Sequence, residues 1–367
     1  MRATRAVINL TALAQNFQEI KEFIGPNKKI CVAVKADAYG HGAVQCAKTL
    51  SEAGADMFGL ATAEEARELL QYGISTPLLL LGLVCPEELP ELIDGGVALV
   101  AGDRDYLEKI WKIAATLNKP VRIHLKVDLG MGRLGCQPEE VLGLAKAIFC
   151  HPFTQLEGFC THFPSADNHQ PQPTLSQLSH FNDLVKSLED AGLRPPLVHG
   201  ANSAALVEFP ESHGDMVRPG IITYGYLPDE GLISPMKLTP VMSLETRVSF
   251  VKDVKKDSTI SYSGTYETLQ DTKIATLPLG YADGYFRAFS NLAPVRIGDG
   301  IYKVSGRVCM DQFMVDLGPE SSVTRGERAV VFGPEGPTAW DLAREIGTIP
   351  YEITCAVSKR VPRVYVE

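Results

Sequence analysis

The sequence predicts an α/β protein in which an N-terminal (β/α)8 barrel of the TIM type is followed by a mainly β C-terminal domain. Three observations carry this prediction. Apolar strand candidates alternate with amphipathic helices through the first part of the chain, their number is about eight, and short alternating strands replace them afterwards. Eight is the number of strands that closes a parallel barrel. We therefore divide the 367 residues into a barrel over 1–230 and a β domain over 231–367.

The barrel strands are assigned to apolar runs that turn residues or helical stretches separate. They are residues 29–35, 57–61, 77–82, 97–101, 121–127, 154–162, 196–201 and 215–218. Between them, runs such as 63–70 and 178–188 return an apolar residue at every third or fourth position, which is typical of amphipathic helices. An open, doubly wound sheet would show a similar alternation, and only the strand count favours closure.

Strands of a different kind begin after residues 228–231. The short runs 244–250, 273–277, 295–297 and 329–332 alternate apolar and polar positions and have turn residues between them. This pattern predicts an all-β second domain.

The composition favours a small-molecule ligand over a nucleic acid or a membrane. The chain is 45% hydrophobic and 22% charged, as is usual for a globular protein, and its net charge is −9. No run of lysine or arginine offsets that charge, so neither nucleic acid nor an anionic membrane is an expected partner. The N-terminus lacks the apolar segment of a signal peptide, and no apolar stretch approaches the ~20 residues that span a bilayer. We therefore expect a cytoplasmic protein.

The cysteines lie in apolar segments and form no CxxC pairs. We interpret most of them as reduced core residues, and because their spacing matches no zinc site we expect no metal. The eight are Cys31, Cys46, Cys85, Cys136, Cys150, Cys160, Cys309 and Cys355.

A lysine and a tyrosine follow the first barrel strand directly. Lys35 ends the apolar run 29–35, and Tyr39 comes four residues later. A lysine that traps an aldehyde needs an uncharged amine, and partial desolvation beside an apolar strand favours one by lowering its pKa. Taken alone, the pair is more typical of a lysine that only meets solvent at the end of a strand.

Polar residues also stand at other strand ends, where enzymes with this barrel place their functional groups. Glycine segments at 130–135 and 219–221 accompany them, and glycine backbone can approach a ligand closely and direct N–H groups at a phosphate. We therefore expect a ligand site at the C-terminal end of the barrel. The polar residues at or just beyond strand ends are Lys126, Arg133, His162, Asn202, Ser203 and Arg218.

Segments through nearly the whole chain resemble alanine racemase, a pyridoxal-phosphate enzyme built from a barrel and a β domain. The resemblance implies pyridoxal 5'-phosphate as cofactor, interconversion of L-alanine and D-alanine, and a homodimer. In that dimer, each active site joins the barrel of one subunit to the β domain of its partner. The resembling segments, in the order in which the family carries them, are residues 34–42, 126–135, 161–163, 201–203, 217–220, 280–284 and 306–311.

The resemblance also implies two catalytic bases and the residues that hold the cofactor ring. Lys35 would hold the cofactor covalently and serve as one base, and Tyr262 of the partner subunit would be the other. Arg133 would contact the phenolic oxygen of the cofactor, and Lys126, which is often carbamylated in this family, would orient Arg133. Arg218 would face the pyridine nitrogen.

The remaining implied roles concern the phosphate and the substrate. The phosphate would be held by Tyr39, Ser203, Ile221 and Tyr351, with Asn202 and Gly220 nearby and His162 also in the cofactor site. The substrate would contact Arg133, the backbone N–H of Met310, Asp311 and Tyr281.

Racemisation needs one base on each face of the reacting carbon, because a proton removed from one face is replaced on the other. A tyrosine ordinarily ionises near pH ~10, so the second base needs cationic neighbours, for which His162 and Arg218 are the candidates. A guanidinium keeps its own proton and leaves the pyridine nitrogen unprotonated. This weakens the electron sink and favours proton exchange over transamination.

Three alternatives compete with this interpretation. A racemase of serine or of broader range is one, although such relatives tend to carry a smaller residue in place of Tyr351. A non-catalytic cofactor carrier would end after the barrel, whereas here Tyr262 and Met310 follow. Barrel decarboxylases of basic amino acids place an acidic residue where Arg218 stands. Supply of D-alanine as a peptidoglycan precursor and its degradation as a carbon source would look the same in sequence.

Two residues have two interpretations each. His199 is equally well explained as a core histidine or as a partner of Arg218, and Tyr281 as a packing residue or as a control on substrate access. Cys309 is interpreted as structural.

Overall fold

Eight parallel strands form the largest sheet of the computed structural model, which describes residues 2–168 and 170–367. The strands in chain order are β1 (Arg5–Asn9), β2 (Lys29–Ala33), β3 (Met57–Leu60), β4 (Leu78–Leu80), β5 (Ala98–Ala101), β6 (Val121–Lys126), β7 (Thr154–Cys160), β8 (Leu197–His199), β9 (Met216–Val217), β10 (Met242–Arg247), β11 (Phe250–Val254), β12 (Thr259–Ile260), β13 (Tyr266–Glu267), β14 (Thr272–Leu277), β15 (Pro294–Ile297), β16 (Gly300–Lys303), β17 (Phe313–Gly318), β18 (Arg328–Phe332) and β19 (Arg363–Val366). The helical segments are α1 (Leu10–Ile24), α2 (Lys35–Tyr39), α3 (Ala43–Ala53), α4 (Ala63–Gln71), α5 (Leu89–Asp94), α6 (Arg104–Leu117), α7 (Val141–Cys150), α8 (Gln172–Asp190), α9 (Ser203–Glu208), α10 (Ala339–Ile346) and α11 (Pro350–Ala356).

Strands β2 to β9 form the barrel. They neighbour one another in the order β8-β7-β6-β5-β4-β3-β2-β9, and the ladders between neighbours are parallel. Backbone hydrogen bonds join the two ends of this order: the N–H of Asp215 donates to the carbonyl of Val198 at 2.8 Å, and the N–H of Arg218 donates to the carbonyl of Ala201 at 2.9 Å. The sheet is therefore nearly closed, and the predicted (β/α)8 barrel is confirmed.

Helix α4 illustrates how the outer layer of the barrel forms. The side chain of Thr62 accepts from the N–H of Glu65 at 3.3 Å, and the Glu65 carboxylate accepts from the N–H of Thr62 at 3.4 Å. This reciprocal cap satisfies N–H groups that the first turn of a helix leaves unpaired. Ala63, Ala66 and Leu69 then form the buried face of the helix. No helix in the described part of the chain is both long enough and apolar enough to cross a membrane.

The first strand of the chain does not belong to the barrel. Strand β1 pairs antiparallel with β10 and parallel with β19 in a six-stranded sheet of order β16-β15-β18-β10-β1-β19. Ala6 and Ile8 are fully buried and alternate with half-buried residues, so one face of the strand packs on the core. The predicted barrel bounds of 1–230 are therefore wrong at their beginning, because β1 lies in the sheet of the second domain.

The second domain is mainly β, as predicted, but it is not all-β. Besides the six-stranded sheet it contains a three-stranded sheet, β11-β14-β17, and a pair, β12-β13. Helices α10 and α11 interrupt the strands, and Thr338 caps α10 by accepting from the N–H of Asp341 at 3.1 Å. Pro350 occupies the first position of α11, where proline is favoured. The ring of Tyr351 on α11 lies 5.9 Å from that of Tyr39, so this helix joins the second domain to the mouth of the barrel.

All eight cysteines are free. Four of them, Cys31, Cys46, Cys136 and Cys160, are buried as expected. Cys85, Cys150 and Cys355 are exposed and Cys309 is half-buried, so the core interpretation is wrong for these.

Candidate active site

A cavity of about 540 Å³ opens at the C-terminal ends of the barrel strands. Functional sites of such barrels lie at this end, and the volume is in the range of small-molecule sites. Ile221, which the resemblance also assigned to the phosphate site, follows Gly220 in the chain and is fully buried. The cavity walls include ten residues that the sequence analysis proposed: Lys35, Tyr39, Lys126, Arg133, His162, Asn202, Ser203, Arg218, Gly220 and Tyr351.

The segment that carries Lys35 winds in the left-handed sense. Ala36, Asp37, Ala38 and Tyr39 have φ angles of 52°, 55°, 53° and 54°. For L-residues this conformation costs ~1–2 kcal/mol per residue. Strain of this kind persists only where the surroundings over-determine it, and it clusters at functional sites. This turn was not predicted from the sequence, because none of the four residues is a glycine that would mark it.

Hydrogen bonds from two sides hold the left-handed turn. The N–H of Ala36 donates to the Glu65 carboxylate at 2.6 Å, and the same carboxylate accepts from the N–H of Ala61 at 2.8 Å. On the other side, Nδ1 of His41 lies 2.9 Å from the carbonyl of Ala38. Burial lowers the pKa of His41 to about 4, so the ring is neutral and donates from Nδ1. Glu65 and His41 therefore position the backbone on which Lys35 stands.

The environment of Lys35 favours an uncharged amine. Burial lowers its pKa, the charge of Arg133 lowers it further, and the carboxylate of Glu65 opposes both. An amine whose pKa is lowered is more often free to attack an aldehyde. The desolvation that the sequence analysis expected for Lys35 is confirmed.

Tyr39, Ser203, Gly220 and Tyr351 all line the cavity. The N–H of Gly220 donates to Oγ of Ser203 at 2.8 Å. A Cβ at Gly220 would lie 2.5 Å from Oη of Tyr39 and 3.6 Å from Oγ of Ser203, so a residue without a Cβ is required for the Tyr39 hydroxyl to stand there. Several hydroxyl donors close together suit an anion such as a phosphate group.

Asn202 positions Ser203. Its side chain accepts from the N–H of Ala205 at 2.9 Å and donates to the carbonyl of Phe163 at 3.1 Å. Asn202 thereby caps α9 and fixes the helix to the segment after β7. Ser203, the first residue of that helix, is held at the cavity wall as a result.

Arg218 is buried among acceptors. One of its terminal nitrogens lies 2.6 Å from Nδ1 of His199 and donates to the His199 carbonyl at 2.9 Å. The other donates to the carbonyls of Thr161 at 2.8 Å and Gly200 at 3.1 Å. The guanidinium is thus fixed in the wall of the cavity, and of the two interpretations of His199 the partner of Arg218 is the one the structure supports.

His162 does not supply positive charge to this site. Burial lowers its pKa to about 3, and the nearby charge of Arg218 contributes to the lowering. The imidazole is therefore neutral near pH 7, with Nδ1 lying 3.5 Å from a terminal nitrogen of Arg218. The prediction that His162 is a cationic neighbour of the second base is wrong, and Arg218 is left as the cationic candidate.

Lys126 ends β6 and is buried in a cationic environment. Burial, with smaller contributions from Arg218 and Arg133, lowers its pKa to about 8. Arg133 is exposed at the cavity mouth, on a loop whose conformation Asp128 stabilises. The carboxylate of Asp128 accepts from the N–H of Met131 at 2.9 Å and from other N–H groups of that loop.

The remaining predicted residues lie together on the second domain, and we call Tyr262, Tyr281, Met310 and Asp311 the β-domain patch. The exposed fractions of Tyr262, Tyr281 and Met310 are 70%, 43% and 53%, which is high for large apolar side chains. The N–H of Tyr281 donates to the carbonyl of Cys309 at 3.1 Å, so the segments that carry Tyr281 and Met310 adjoin. Among the described residues that line the cavity, none belongs to this patch.

Sequence reasoning missed several residues around the cavity. Cys355 and Asp167 are in its wall, and Glu65 holds the turn of Lys35. Cys355 lies one helical turn after Tyr351 on α11, so the recognition of Tyr351 could have indicated it. For Glu65 the signal was its capping position at the start of α4, but that explains a helix end and not a second role.

Comparison with known proteins places these features in a family. Two family models, for the alanine racemase N-terminal domain and the alanine racemase C-terminal domain, match residues 8–228 and 241–365. An alanine racemase of Treponema denticola is 44% identical over 376 residues, covering 100% of this chain and 99% of that protein. An alanine racemase of Halothermothrix orenii is 41% identical, covering 99% of this chain and 97% of that protein.

The fold comparison agrees with the sequence comparison. A solved structure of alanine racemase from Clostridium difficile 630 is similar to this chain with a TM-score of 0.95 at 36% identity, covering 100% of this chain and 96% of that one. The matches extend over both the barrel and the β domain. The chain therefore belongs to the alanine racemase family of pyridoxal-phosphate-dependent isomerases.

Proposed function

We propose that this chain interconverts L-alanine and D-alanine with bound pyridoxal phosphate, using Lys35 and Tyr262 of the partner subunit as the two bases. The observation that carries the proposal is the pairing, in one cavity, of a desolvated Lys35 with the buried guanidinium of Arg218. A lysine of lowered pKa can hold an aldehyde covalently, and a fixed cation can face a pyridine nitrogen.

The residues of the cavity fit this cofactor. The hydroxyls of Tyr39, Ser203 and Tyr351 would hold the phosphate, and the missing Cβ of Gly220 lets the Tyr39 hydroxyl lie close to the backbone there. Lys35 would hold the aldehyde carbon. When bound, the cofactor supplies a conjugated system that accepts the electrons left on the α-carbon as its proton departs.

Lys35 and Tyr262 of the partner subunit would exchange protons with opposite faces of the α-carbon. Nζ of Lys35 takes or returns the proton on one face, and the hydroxyl of Tyr262 does so on the other. Large exposed side chains gathered in one place often mark an interaction site, and the β-domain patch is such a place. We therefore infer a homodimer in which the patch of each subunit completes the cavity of the other.

Arg218 would restrict the reaction to proton exchange. Burial lowers its pKa, yet a guanidinium ordinarily ionises so far above neutrality that it stays charged. A charged Arg218 facing the pyridine nitrogen would leave that nitrogen unprotonated, and the bound cofactor would then accept electrons less strongly. Transfer of the amino group to the cofactor, which needs a stronger electron acceptor, would be disfavoured as a result.

Lys126 is proposed to carry a carbamate. With a pKa of about 8, its amine is uncharged often enough to add to carbon dioxide, forming an N–C bond and releasing a proton. The product is an anion, and the positive charges of Arg218 and Arg133 that lower the pKa of Lys126 would stabilise it. A carbamate there would be placed to orient Arg133 toward the phenolic oxygen of the cofactor.

No observation favours a racemase of larger amino acids or a non-catalytic cofactor carrier. Tyr351 occupies the cavity wall with a bulky ring, which disfavours a racemase of larger amino acids. A cofactor carrier would have no use for the β-domain patch or for a second domain of the kind matched over residues 241–365.

Hydrogen exchange into alanine tests the proposed function. Purified protein in deuterated water should place deuterium on the α-carbon of L-alanine and generate D-alanine, and borohydride reduction should attach the cofactor to the peptide that contains Lys35. Lys35→Ala should lower the exchange rate by at least ~10²–10⁴-fold, the contribution of one general base. Lys29→Ala, which changes an exposed lysine of the same segment, is the matched control and should be unaffected. Absence of exchange by the wild-type protein, or full activity of Lys35→Ala, would contradict the proposal.

A further inference from the structure

A line of hydrogen bonds runs from Arg218 into the barrel, away from the cavity. A terminal nitrogen of Arg218 lies 2.6 Å from Nδ1 of His199, and Nε2 of His199 lies 2.7 Å from Nδ1 of His124. Nε2 of His124 lies 2.9 Å from the carboxylate of Glu157. Both imidazoles are 0% exposed, so water does not interrupt the line. At the end of the line farthest from Arg218, a terminal nitrogen of Arg122 lies 3.2 Å from the Glu157 carboxylate.

The types of group in this line allow one arrangement of protons. A guanidinium can only donate, so Nδ1 of His199 must accept. A neutral His199 then carries its proton on Nε2 and donates it to Nδ1 of His124, which leaves the proton of His124 on Nε2 to be donated to Glu157. Every donor points from Arg218 toward Glu157. A proton added to either ring would place two N–H donors opposite each other, with no acceptor between them.

Ionisation agrees with this arrangement. Burial lowers the pKa of His199 well below its ordinary value, and burial also lowers the pKa of His124 despite its hydrogen bond to Glu157. Burial raises the pKa of Glu157, but the hydrogen bond from His124 and the charge of Arg122 outweigh it, so the net shift is downward. The line therefore joins a cation and a carboxylate through two neutral rings.

The backbone is shaped to accommodate this line. The register of β6 against β7 shifts between Ile123 and His124, and such irregularities re-aim side chains. Ile123 pairs with Leu156 and His124 with Gly158, so Glu157 is the residue passed over. A Cβ at Gly158 would lie 2.2 Å from Nδ1 of His124, so glycine is required for the ring to stand there.

We propose that Glu157 is a positioning residue for the cofactor site, which acts through His124 and His199 to hold Arg218 in place. By accepting from His124, Glu157 stabilises the Nε2-protonated form that Arg218 requires of both imidazoles, and so helps to keep Nδ1 of His199 available to the guanidinium. Without that acceptor, the Nε2 proton of His124 has no partner, so forms in which the rings carry the proton on Nδ1 become more populated, and in those forms His199 opposes Arg218. The inference rests on the proposed function in one respect, namely that Arg218 faces the cofactor nitrogen.

The first test is the tautomeric state of the two rings. In protein as purified with its cofactor and labelled with ¹⁵N-histidine, both rings should be neutral and protonated on Nε2. Glu157→Leu removes the acceptor and should shift the signals of His124 and His199, whereas Glu157→Gln keeps an acceptor oxygen and should preserve them. Glu189→Leu, on the exposed face of α8, is the control and should change neither ring.

The second test is leakage into amino-group transfer, in which alanine and pyridoxal phosphate become pyruvate and pyridoxamine phosphate. If Arg218 loses its fixed position in Glu157→Leu, pyruvate released per racemisation should rise about tenfold, the effect expected from losing one hydrogen bond. Glu157→Gln should remain near wild type. Glu157→Asp keeps the charge but shortens the reach, and it should move the same signals and the same ratio should Glu157→Leu not fold.

The two tests separate this inference from the proposed function. Nδ1-protonated rings in the wild-type protein would overturn the inference, and so would a folded Glu157→Leu or Glu157→Asp with unchanged histidine signals and an unchanged pyruvate ratio. Loss of alanine racemisation in the wild-type protein would instead overturn the proposed function, while the tautomers would still report on Glu157.

Discussion

Tyr351 brings a bulky side chain from the second domain to the wall of the barrel cavity. If the ring limits the space beside the α-carbon, Tyr351→Ala should admit serine and larger side chains and reduce alanine turnover. One methylene group is worth ~1–3 kcal/mol of discrimination, so kcat/KM for serine relative to alanine should rise by tens-fold. Steady-state kinetics with both substrates would check this. Equal changes for serine and alanine would show that the wall lies elsewhere.

Lys126 gives a prediction that depends on pH. Its pKa of about 8 means that the amine is mostly uncharged at pH 9 and mostly charged at pH 6.5, and only the uncharged amine adds to carbon dioxide. Protein exposed to ¹³C-bicarbonate at pH 9 should therefore show a carbamate signal by NMR that is weaker after exposure at pH 6.5. Lys126→Ala should lack the signal. A carbamate that persists in this variant, or none in the wild-type protein at pH 9, would exclude the modification.

At the scale of residues, the positions of the site residues were easier to predict than their protonation states. Lys35 and Arg218 were found because strand periodicity locates the strand ends, and functional groups in this fold stand there. The neutral state of His162 was not found, since its pKa depends on burial by side chains distant in sequence. The same holds for His199, whose two side-chain partners are distant in sequence: His124 lies within β6 and Arg218 directly follows β9.

At the scale of elements, an ion pair beside the N-terminal strand connects that strand to the turn at residues 280–283. Arg2, just before β1, donates to both oxygens of the fully buried Asp283 carboxylate at 2.6 and 2.7 Å. Asp283 also accepts from the N–H of Gly280 at 3.1 Å and so stabilises the turn that carries Tyr281. Through Asp283, Arg2 thus stabilises the segment that carries Tyr281 of the β-domain patch.

Removal of this ion pair should destabilise the protein. Arg2→Gln leaves a buried carboxylate with Arg360 at 3.5 Å as its remaining cationic contact, and an under-satisfied buried charge costs ~1–3 kcal/mol or more. The midpoint of urea denaturation should fall accordingly. Arg5→Gln is the matched control, because Arg5 is 3.4 Å from Glu245, which Arg328 already contacts at 2.7 Å. Equal losses in the two variants would contradict the account.

Elements with a strong local pattern were predictable, and those that depend on distant partners were not. The eight barrel strands follow from apolar runs at regular spacing. The pairing of β1 with β10 and β19 brings together residues more than two hundred positions apart, which no local pattern encodes. The left-handed turn at 36–39 is likewise imposed by contacts with Glu65 and His41.

At the scale of the whole molecule, the two domains divide the predicted site residues between them. The cavity is lined by Lys35, Arg218 and the hydroxyl-bearing residues Tyr39, Ser203 and Tyr351, and the β-domain patch includes Tyr262 and Met310. The resemblance of the sequence to alanine racemase implied that both groups belong to one active site shared between two subunits. A patch that is exposed in a single chain and absent from the described cavity walls is what a site shared between subunits requires.

Mixing two inactive variants tests the shared site most directly. Lys35→Ala and Tyr262→Phe chains, each nearly inactive alone, are combined and allowed to exchange subunits. Random pairing makes about half of the dimers mixed, and each mixed dimer has one site with both bases and one site with neither. We expect racemase activity to recover to about a quarter of wild type. Recovery near zero, once mass spectrometry has confirmed that mixed dimers formed, would place both bases in one chain and contradict the account.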